Sequence, residues 1–195
     1  MYDDALIVFT SDHGEEFWEH GAYQHGHSMY NEVIAVPLIV KFPQAQHTGS
    51  FEPRVSIEFV KPTILDLCGV AARQSCYSTP SLATLVSGRE PPGVLLQAGS
   101  CYHEEMEAVI FSENYKLIRR LGSLREELFD LRADPEETRS LLDSSPAKAE
   151  MGRRTLDELG ESLRHVRSCY QARDKPAPAG GRERLRQLKS LGYLD

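Results

Sequence analysis

Residues 5–15 read Ala-Leu-Ile-Val-Phe-Thr-Ser-Asp-His-Gly-Glu, an apolar run that stops just before an acid–imidazole pair. A short run without polar alternation predicts a buried parallel strand at residues 5–9. In open α/β sheets the chemistry collects beyond the carboxyl ends of the strands, which is where Asp12 and His13 are expected. A carboxylate oxygen and an imidazole nitrogen supply half of a divalent metal site. The alternative is that Asp12 caps the next turn and His13 is an ordinary polar loop residue.

Three histidines follow within residues 20–27, interleaved with two glycines. Glycine lets the backbone approach a ligand closely, and a protonated imidazole can bind an anion or protonate a leaving group. His25 and His27 are therefore candidate catalytic or anion-binding residues, and His20 is weighed with them. The alternative is that these are structural loop histidines bonded to backbone carbonyls.

Several motifs along the chain resemble the sulfatases of the alkaline phosphatase superfamily. The resemblance covers the second half of the catalytic domain and the smaller domain that follows it. In chain order the matching segments are Asp12-His13-Gly14-Glu15, the His-Gly pairs, Val36-Pro37-Leu38, the Pro-Thr-x-Leu-Asp helix at 62–66, Tyr115-Lys116-Leu117-Ile118, Asp134-Pro135-Glu136-Glu137 and the Leu-rich ending at 188–194. Any one of these motifs alone is weak, but together and in order they are specific.

The resemblance implies that Asp12 and His13 are two ligands of one divalent cation, usually Ca²⁺, with Mn²⁺ or Mg²⁺ as alternatives. Many sulfatases also have a sulfate-binding lysine a few residues before Tyr30. This sequence has no lysine between Asp12 and Tyr30, so His25 and His27 are the expected replacements. The histidine that follows Asp12 also resembles phosphodiester and phosphonate ester hydrolases of the same superfamily, which leaves the ester class open.

The nucleophile of the family does not occur in these residues. Sulfatases attack the ester with the hydrated aldehyde of formylglycine, which is made from Cys or Ser inside C-x-P-x-R. None of the four cysteines of this sequence lies in that motif; they are Cys68, Cys76, Cys101 and Cys169. We therefore expect formylglycine only in an upstream region, and a sulfuric ester hydrolase that is inactive as this chain alone. The open alternative is a truncated, non-catalytic protein that binds a metal or a partner.

The expected fold is α/β, with a partial alkaline-phosphatase-like sheet covered by helices and then a small antiparallel sheet with a helix. Residues 1–92 are assigned to the end of the catalytic domain and residues 93–171 to a small α+β subdomain. Residues 172–195 are predicted to be a linker and a short amphipathic helix. Strands are predicted at 5–10, 36–42, 94–97, 108–111, 116–121 and 128–131, and helices at 59–68 and 147–170.

Composition excludes some partners. The formal charge of −7 argues against a nucleic-acid surface. No apolar run approaches the ~20 residues of a membrane span. The charged pair Asp3-Asp4 lies near Met1, where a signal peptide would need an apolar stretch. The sequence does not assign the protein to a cellular compartment. The expected partner is a small-molecule or carbohydrate sulfate ester.

Overall fold

The structure, a computed structural model, describes residues 2–70, 79–86, 88, 96–100, 105–112 and 114–171. The predicted linker and carboxy-terminal helix at 172–195 lie outside the described residues. In chain order the elements are β1 (Ile7–Thr10), β2 (Glu16–Phe17), β3 (Tyr23–Gln24), α1 (Asn31–Ile34), β4 (Leu38–Lys41), α2 (Val60–Leu67), α3 (Leu82–Val86), β5 (Leu96–Ser100), β6 (Met106–Phe111), β7 (Tyr115–Arg120), β8 (Glu126–Asp130) and α4 (Pro146–Gln171).

The strands β5 to β8 form an antiparallel sheet in sequence order, as predicted for the second half of the chain. Successive residues of a strand point to opposite faces, so each strand contributes to two cores. One face carries Ala108, Ile118 and Phe129, and Met29 from the loop before α1 packs on it. This first core therefore joins the sheet to a segment more than seventy residues upstream, which fixes that segment against the sheet.

Helix α4 covers the other face of the same sheet. Its residues Ala149 and Leu156 are buried against Val109, Leu117 and Leu128. The apolar stripe predicted along this helix is thus confirmed at Leu156 and at Leu159, which packs on the same core, while the side chains of Leu163 and Val166 lie outside those described. Among the described residues, no helix combines the length and the apolar character that crossing a membrane requires.

The prediction of a buried parallel strand at residues 5–9 is wrong in both respects. β1 pairs with β4 in antiparallel register, with Phe9 opposite Ile39. Side chains on one face of this pair, among them Leu38, pack towards α2 and α3, whereas Phe9 and Ile39 on the other face are exposed. An apolar run encodes the capacity to be buried on both faces, but it encodes neither strand direction nor what covers each face.

Candidate functional site

The loop from residue 11 to residue 30 carries all the candidate residues and is held close to α1. The Gly14 N–H donates to the Val33 carbonyl at 2.7 Å. A Cβ atom at Gly14 would lie 2.0 Å from the Glu32 carbonyl oxygen, so only glycine permits this approach. The close contact places Asp12 and His13 beside the start of α1.

Asp12 and His13 present two ligand atoms side by side. His13 Nδ1 lies 2.9 Å from the Gly14 carbonyl oxygen. Because a carbonyl only accepts, Nδ1 carries the proton and Nε2 is left with its lone pair. Nε2 lies 3.7 Å from Oδ1 of the exposed Asp12 carboxylate. A lone pair and a carboxylate oxygen at this separation fit two ligands of one cation.

Glu15 and His25 form a carboxylate–imidazole pair next to this point. His25 Nδ1 lies 2.6 Å from Glu15 Oε1, and the His25 ring stacks on the His13 ring with centroids 3.7 Å apart. Ligand atoms of His13, Glu15 and His25 all lie within 4.8 Å of one another. Stacked rings aim their in-plane lone pairs side by side, so the two imidazoles do not converge on one ion as they stand.

Glu16 fixes the loop from inside. Its side chain is buried and accepts hydrogen bonds from the Ser28 hydroxyl at 2.8 Å and from the Ala22 N–H at 3.2 Å. His27 Nε2 lies 3.3 Å from the same carboxylate. Glu16 therefore anchors the loop from a buried position, and the His27 ring lies against the Glu16 carboxylate.

His20 is held by structural contacts. Its Nδ1 lies 2.8 Å from Glu32 Oε1, and its Nε2 lies 3.2 Å from the Glu137 carbonyl oxygen. The ring stacks on Tyr30 at 3.6 Å. The Tyr30 hydroxyl in turn donates to Glu127, and burial together with that carboxylate raises the pKa of Tyr30. These contacts favour the structural alternative for His20.

A buried ion pair ties the sheet to the same loop. Lys116 Nζ on β7 lies 2.7 Å from Glu137 Oε1, with both side chains fully buried. Lys116 also donates to Asn31 Oδ1 at 3.1 Å, and the Asn31 N–H donates to Glu137 Oε2 at 2.6 Å. Burial lowers the pKa of Lys116 and raises the pKa of Glu137, because lost hydration outweighs the attraction between them. The pair closes the polar end of α1 against β7.

A cavity of about 800 Å³ opens beside these residues. Its lining includes Asp12, His13 and His25 from the loop, Ala108 and other residues of β5 and β6, and the 51–58 segment with Arg54. Three of the four predicted site residues thus share one cavity. The fourth, His27, contacts the Glu16 anchor.

Two features of this region were not predicted from the sequence. Glu15 was expected to be solvated or to fix the loop, and its pairing with His25 was not foreseen. Lys116 was predicted to lie on a strand, and it lies on β7, but its burial against Glu137 was not foreseen. The strand periodicity contained a signal, because Lys116 shares a face with the buried Ile118.

Comparison with known proteins places this geometry in a family context. Residues 18–166 match the family model described as N-sulphoglucosamine sulphohydrolase, C-terminal. N-acetylglucosamine-6-O-sulfatase of Bacteroides thetaiotaomicron is 28% identical over 183 residues, which cover 88% of this chain and 32% of that protein. The chain spans about a third of the length of the curated relatives it matches first.

Solved structures give the same fold. BT4656 in complex with its substrate D-glucosamine-2-N,6-O-disulfate matches with a TM-score of 0.67 and 23% identity, over 84% of this chain and 35% of that one. The phosphonate monoester hydrolase SpPMH from Silicibacter pomeroyi matches with a TM-score of 0.63 and 22% identity, over 84% and 36%. At these identities the two structures show the fold alone, and they agree with the predicted alkaline-phosphatase-like α/β class.

Proposed function

Because the chain belongs to the sulfatase family, in its carboxy-terminal region, we propose that it is the carboxy-terminal portion of a metal-dependent sulfuric ester hydrolase. The proposal is carried by one observation: Asp12, His13 and His25 line the same cavity, with Asp12 and His13 offering adjacent ligand atoms. The nucleophile would come from a segment outside these 195 residues, since none of their cysteines lies in C-x-P-x-R.

Asp12 and His13 would hold the divalent cation, with Ca²⁺ as the first choice and Mn²⁺ or Mg²⁺ as alternatives. The fit rests on the His13 Nδ1 contact with the Gly14 carbonyl, which frees Nε2 for a ligand. When bound, such a cation polarises an ester oxygen as a Lewis acid. The exposed carboxylate of Asp12 adds a hard oxygen donor, which suits Ca²⁺.

His25 would bind the sulfate group or protonate the leaving oxygen. Glu15 accepts a hydrogen bond from His25 Nδ1 and orients the ring. A protonated imidazole donates its other N–H, at Nε2, to an ester oxygen. His27 remains the second candidate for the same role, but its contact with buried Glu16 supports a part in holding the loop. The residues of this chain thus supply cation ligands and one proton donor.

The proposed substrate is a carbohydrate sulfate ester. Support comes from the names of the relatives, which include a sulfatase of N-acetylglucosamine and a structure bound to a glucosamine disulfate. The cavity volume of about 800 Å³ lies in the range of small-molecule sites and accommodates a sugar residue.

A second candidate is a phosphodiester or phosphonate ester hydrolase of the same superfamily. The histidine after Asp12 favours it, and the phosphonate monoester hydrolase among the structural neighbours shows that this fold also serves such esters. A non-catalytic metal-binding or interaction protein is the third candidate. Such a protein would use the surface around Asp12 and His13 for binding and would need no nucleophile.

The nucleotide sequence immediately upstream of the Met1 codon tests the proposal. We expect an in-frame extension that encodes an Asp-Asp pair and then C-x-P-x-R or its serine form. A Ser or Thr nucleophile in another context would instead favour the phosphate or phosphonate ester hydrolases. A stop codon and ribosome-binding site directly before Met1 would contradict both enzymatic proposals and support the non-catalytic one.

A further inference from the structure

Three aromatic side chains are exposed on the β2–β3 hairpin. The exposed fractions are 73% for Phe17, 66% for Trp18 and 55% for Tyr23. The Trp18 and Tyr23 rings stack with centroids 5.4 Å apart and an interplanar angle of 27°. Large aromatic groups left in water on one small element mark a surface that binds something.

The hairpin holds these rings in a fixed arrangement. The Trp18 N–H donates to the Ala22 carbonyl at 2.8 Å, and the Gly21 N–H donates to the Trp18 carbonyl at 3.2 Å. In the same hairpin, the buried Glu16 carboxylate accepts from the Ala22 N–H. Trp18 itself has φ of +76°, a conformation that is costly for a bulky residue and persists only where the surroundings impose it. The rings are therefore preorganised, which lowers the entropy cost of binding.

Along the hairpin, the aromatic residues follow closely on residues of the candidate site. In the hairpin register Phe17 pairs with Tyr23 and Glu16 with Gln24. The next positions outward are Glu15 and His25, which meet at 2.6 Å. His25 is thus two residues from Tyr23, and Glu15 is two residues from Phe17, so a ligand bound at His25 lies near the aromatic end of the hairpin.

We propose that Trp18 and Tyr23 form a carbohydrate-binding platform that stacks on an uncharged sugar ring adjoining the sulfated one. This rests on the proposed function, because it assumes that the ester at His25 belongs to a carbohydrate. Sugar rings present flat C–H faces that pack on aromatic rings and keep their hydroxyls in water. The nearby carboxylate of Glu19, which accepts from the Phe17 N–H, disfavours a second sulfate at this place.

Trp18 is the single tryptophan of the chain, so intrinsic fluorescence reports on this platform alone. The probes are an N-acetylglucosamine trisaccharide, the same trisaccharide with a 6-O-sulfate at its non-reducing end, and N-acetylglucosamine 6-sulfate. We expect both trisaccharides to change Trp18 emission. Tyr23→Leu should weaken their binding roughly three- to tenfold, the range of one aromatic ring contact, and should leave the affinity for the sulfated monosaccharide unchanged.

Tyr2→Leu is the matched control, since Tyr2 is also more than half exposed but lies outside the hairpin. Because Trp18→Leu lacks the fluorophore, its affinities for the same three sugars are measured by calorimetry and compared with those of wild type. The proposal would be overturned if the unsulfated trisaccharide did not change Trp18 emission, or if Tyr23→Leu bound the trisaccharides as tightly as wild type. Trp18 already shielded from acrylamide in the free protein would instead indicate a protein segment covering it, and would also overturn the proposal. A different result would show that the proposed function itself is wrong: Asp12→Ala would then leave the affinity for the sulfated monosaccharide unchanged.

Discussion

Lys116→Met is expected to lower the free energy of unfolding by about 3–5 kcal/mol. The substitution keeps the side chain's length and apolar packing but leaves the fully buried Glu137 carboxylate without its cation. Asn31 would keep its N–H bond to Glu137 and lose the Lys116 ammonium, so the polar end of α1 is weakened as well. Urea unfolding followed by circular dichroism measures the loss.

Two controls separate the unpaired charge from the change of side chain. Lys61→Met alters an exposed lysine on α2 and should change stability by no more than about 0.5 kcal/mol. The double variant Lys116→Met with Glu137→Gln removes both charges and should recover most of the loss. A double variant as unstable as Lys116→Met alone would show that the buried charge is not the cause.

The Lys116→Met deficit should also depend on pH. Burial raises the pKa of Glu137 above its ordinary 4.5, and the variant loses the lysine that opposes this rise. Between the unfolded and folded pKa values the folded state holds a proton that the unfolded state has released, so stability falls as pH rises. Relative to wild type, the variant should therefore lose less at about pH 5 than at about pH 8. An identical deficit at both pH values would argue against a buried carboxylate.

Gly14→Ala is the second substitution with a large expected effect. The added Cβ would meet the Glu32 carbonyl oxygen at 2.0 Å. The backbone fixes the position of the Cβ, and the oxygen is itself a backbone atom, so neither can rotate away. The loop must move from α1, so we expect a loss of roughly 1–3 kcal/mol or more in unfolding free energy. His13 would be displaced with it, and cation affinity should fall in the same variant.

Gly160→Ala offers a matched control for this change. Gly160 lies within α4, and the nearest atom to its added Cβ is the Arg164 guanidinium at 3.8 Å. An alanine there is expected to stabilise the helix by about 0.5–1 kcal/mol, the opposite sign. If Gly14→Ala behaved like Gly160→Ala, the close approach of the loop to α1 would not constrain the site.

The four-stranded sheet and α4 could be predicted because their signals are local. Strand-length apolar segments separated by turns, and one apolar stripe through Leu156, each require only a few neighbouring residues to interpret. Strand β1 could not be predicted in the same way. Its apolar run is compatible with a parallel or an antiparallel neighbour, and that choice depends on β4, about thirty residues away.

The candidate site was predictable in its residue types but not in its pairings. The sequence places Asp12 and His13 together, since they are adjacent. The contact between Glu15 and His25 needs the hairpin to turn at Gly21, whose φ is +84°. The link between Asn31 and Glu137 spans more than a hundred residues, and no local pattern encodes it.

Binding of a divalent cation by Asp12 and His13 is tested most directly by titrating the chain with Mn²⁺ and following the free ion by electron paramagnetic resonance. Wild type should bind one ion, and Asp12→Ala and His13→Ala should each weaken binding by at least about tenfold. Asp143→Ala, which removes an exposed carboxylate elsewhere, should bind as wild type does. Binding by Asp12→Ala and His13→Ala equal to that of wild type, or no binding by wild type, would contradict the claim.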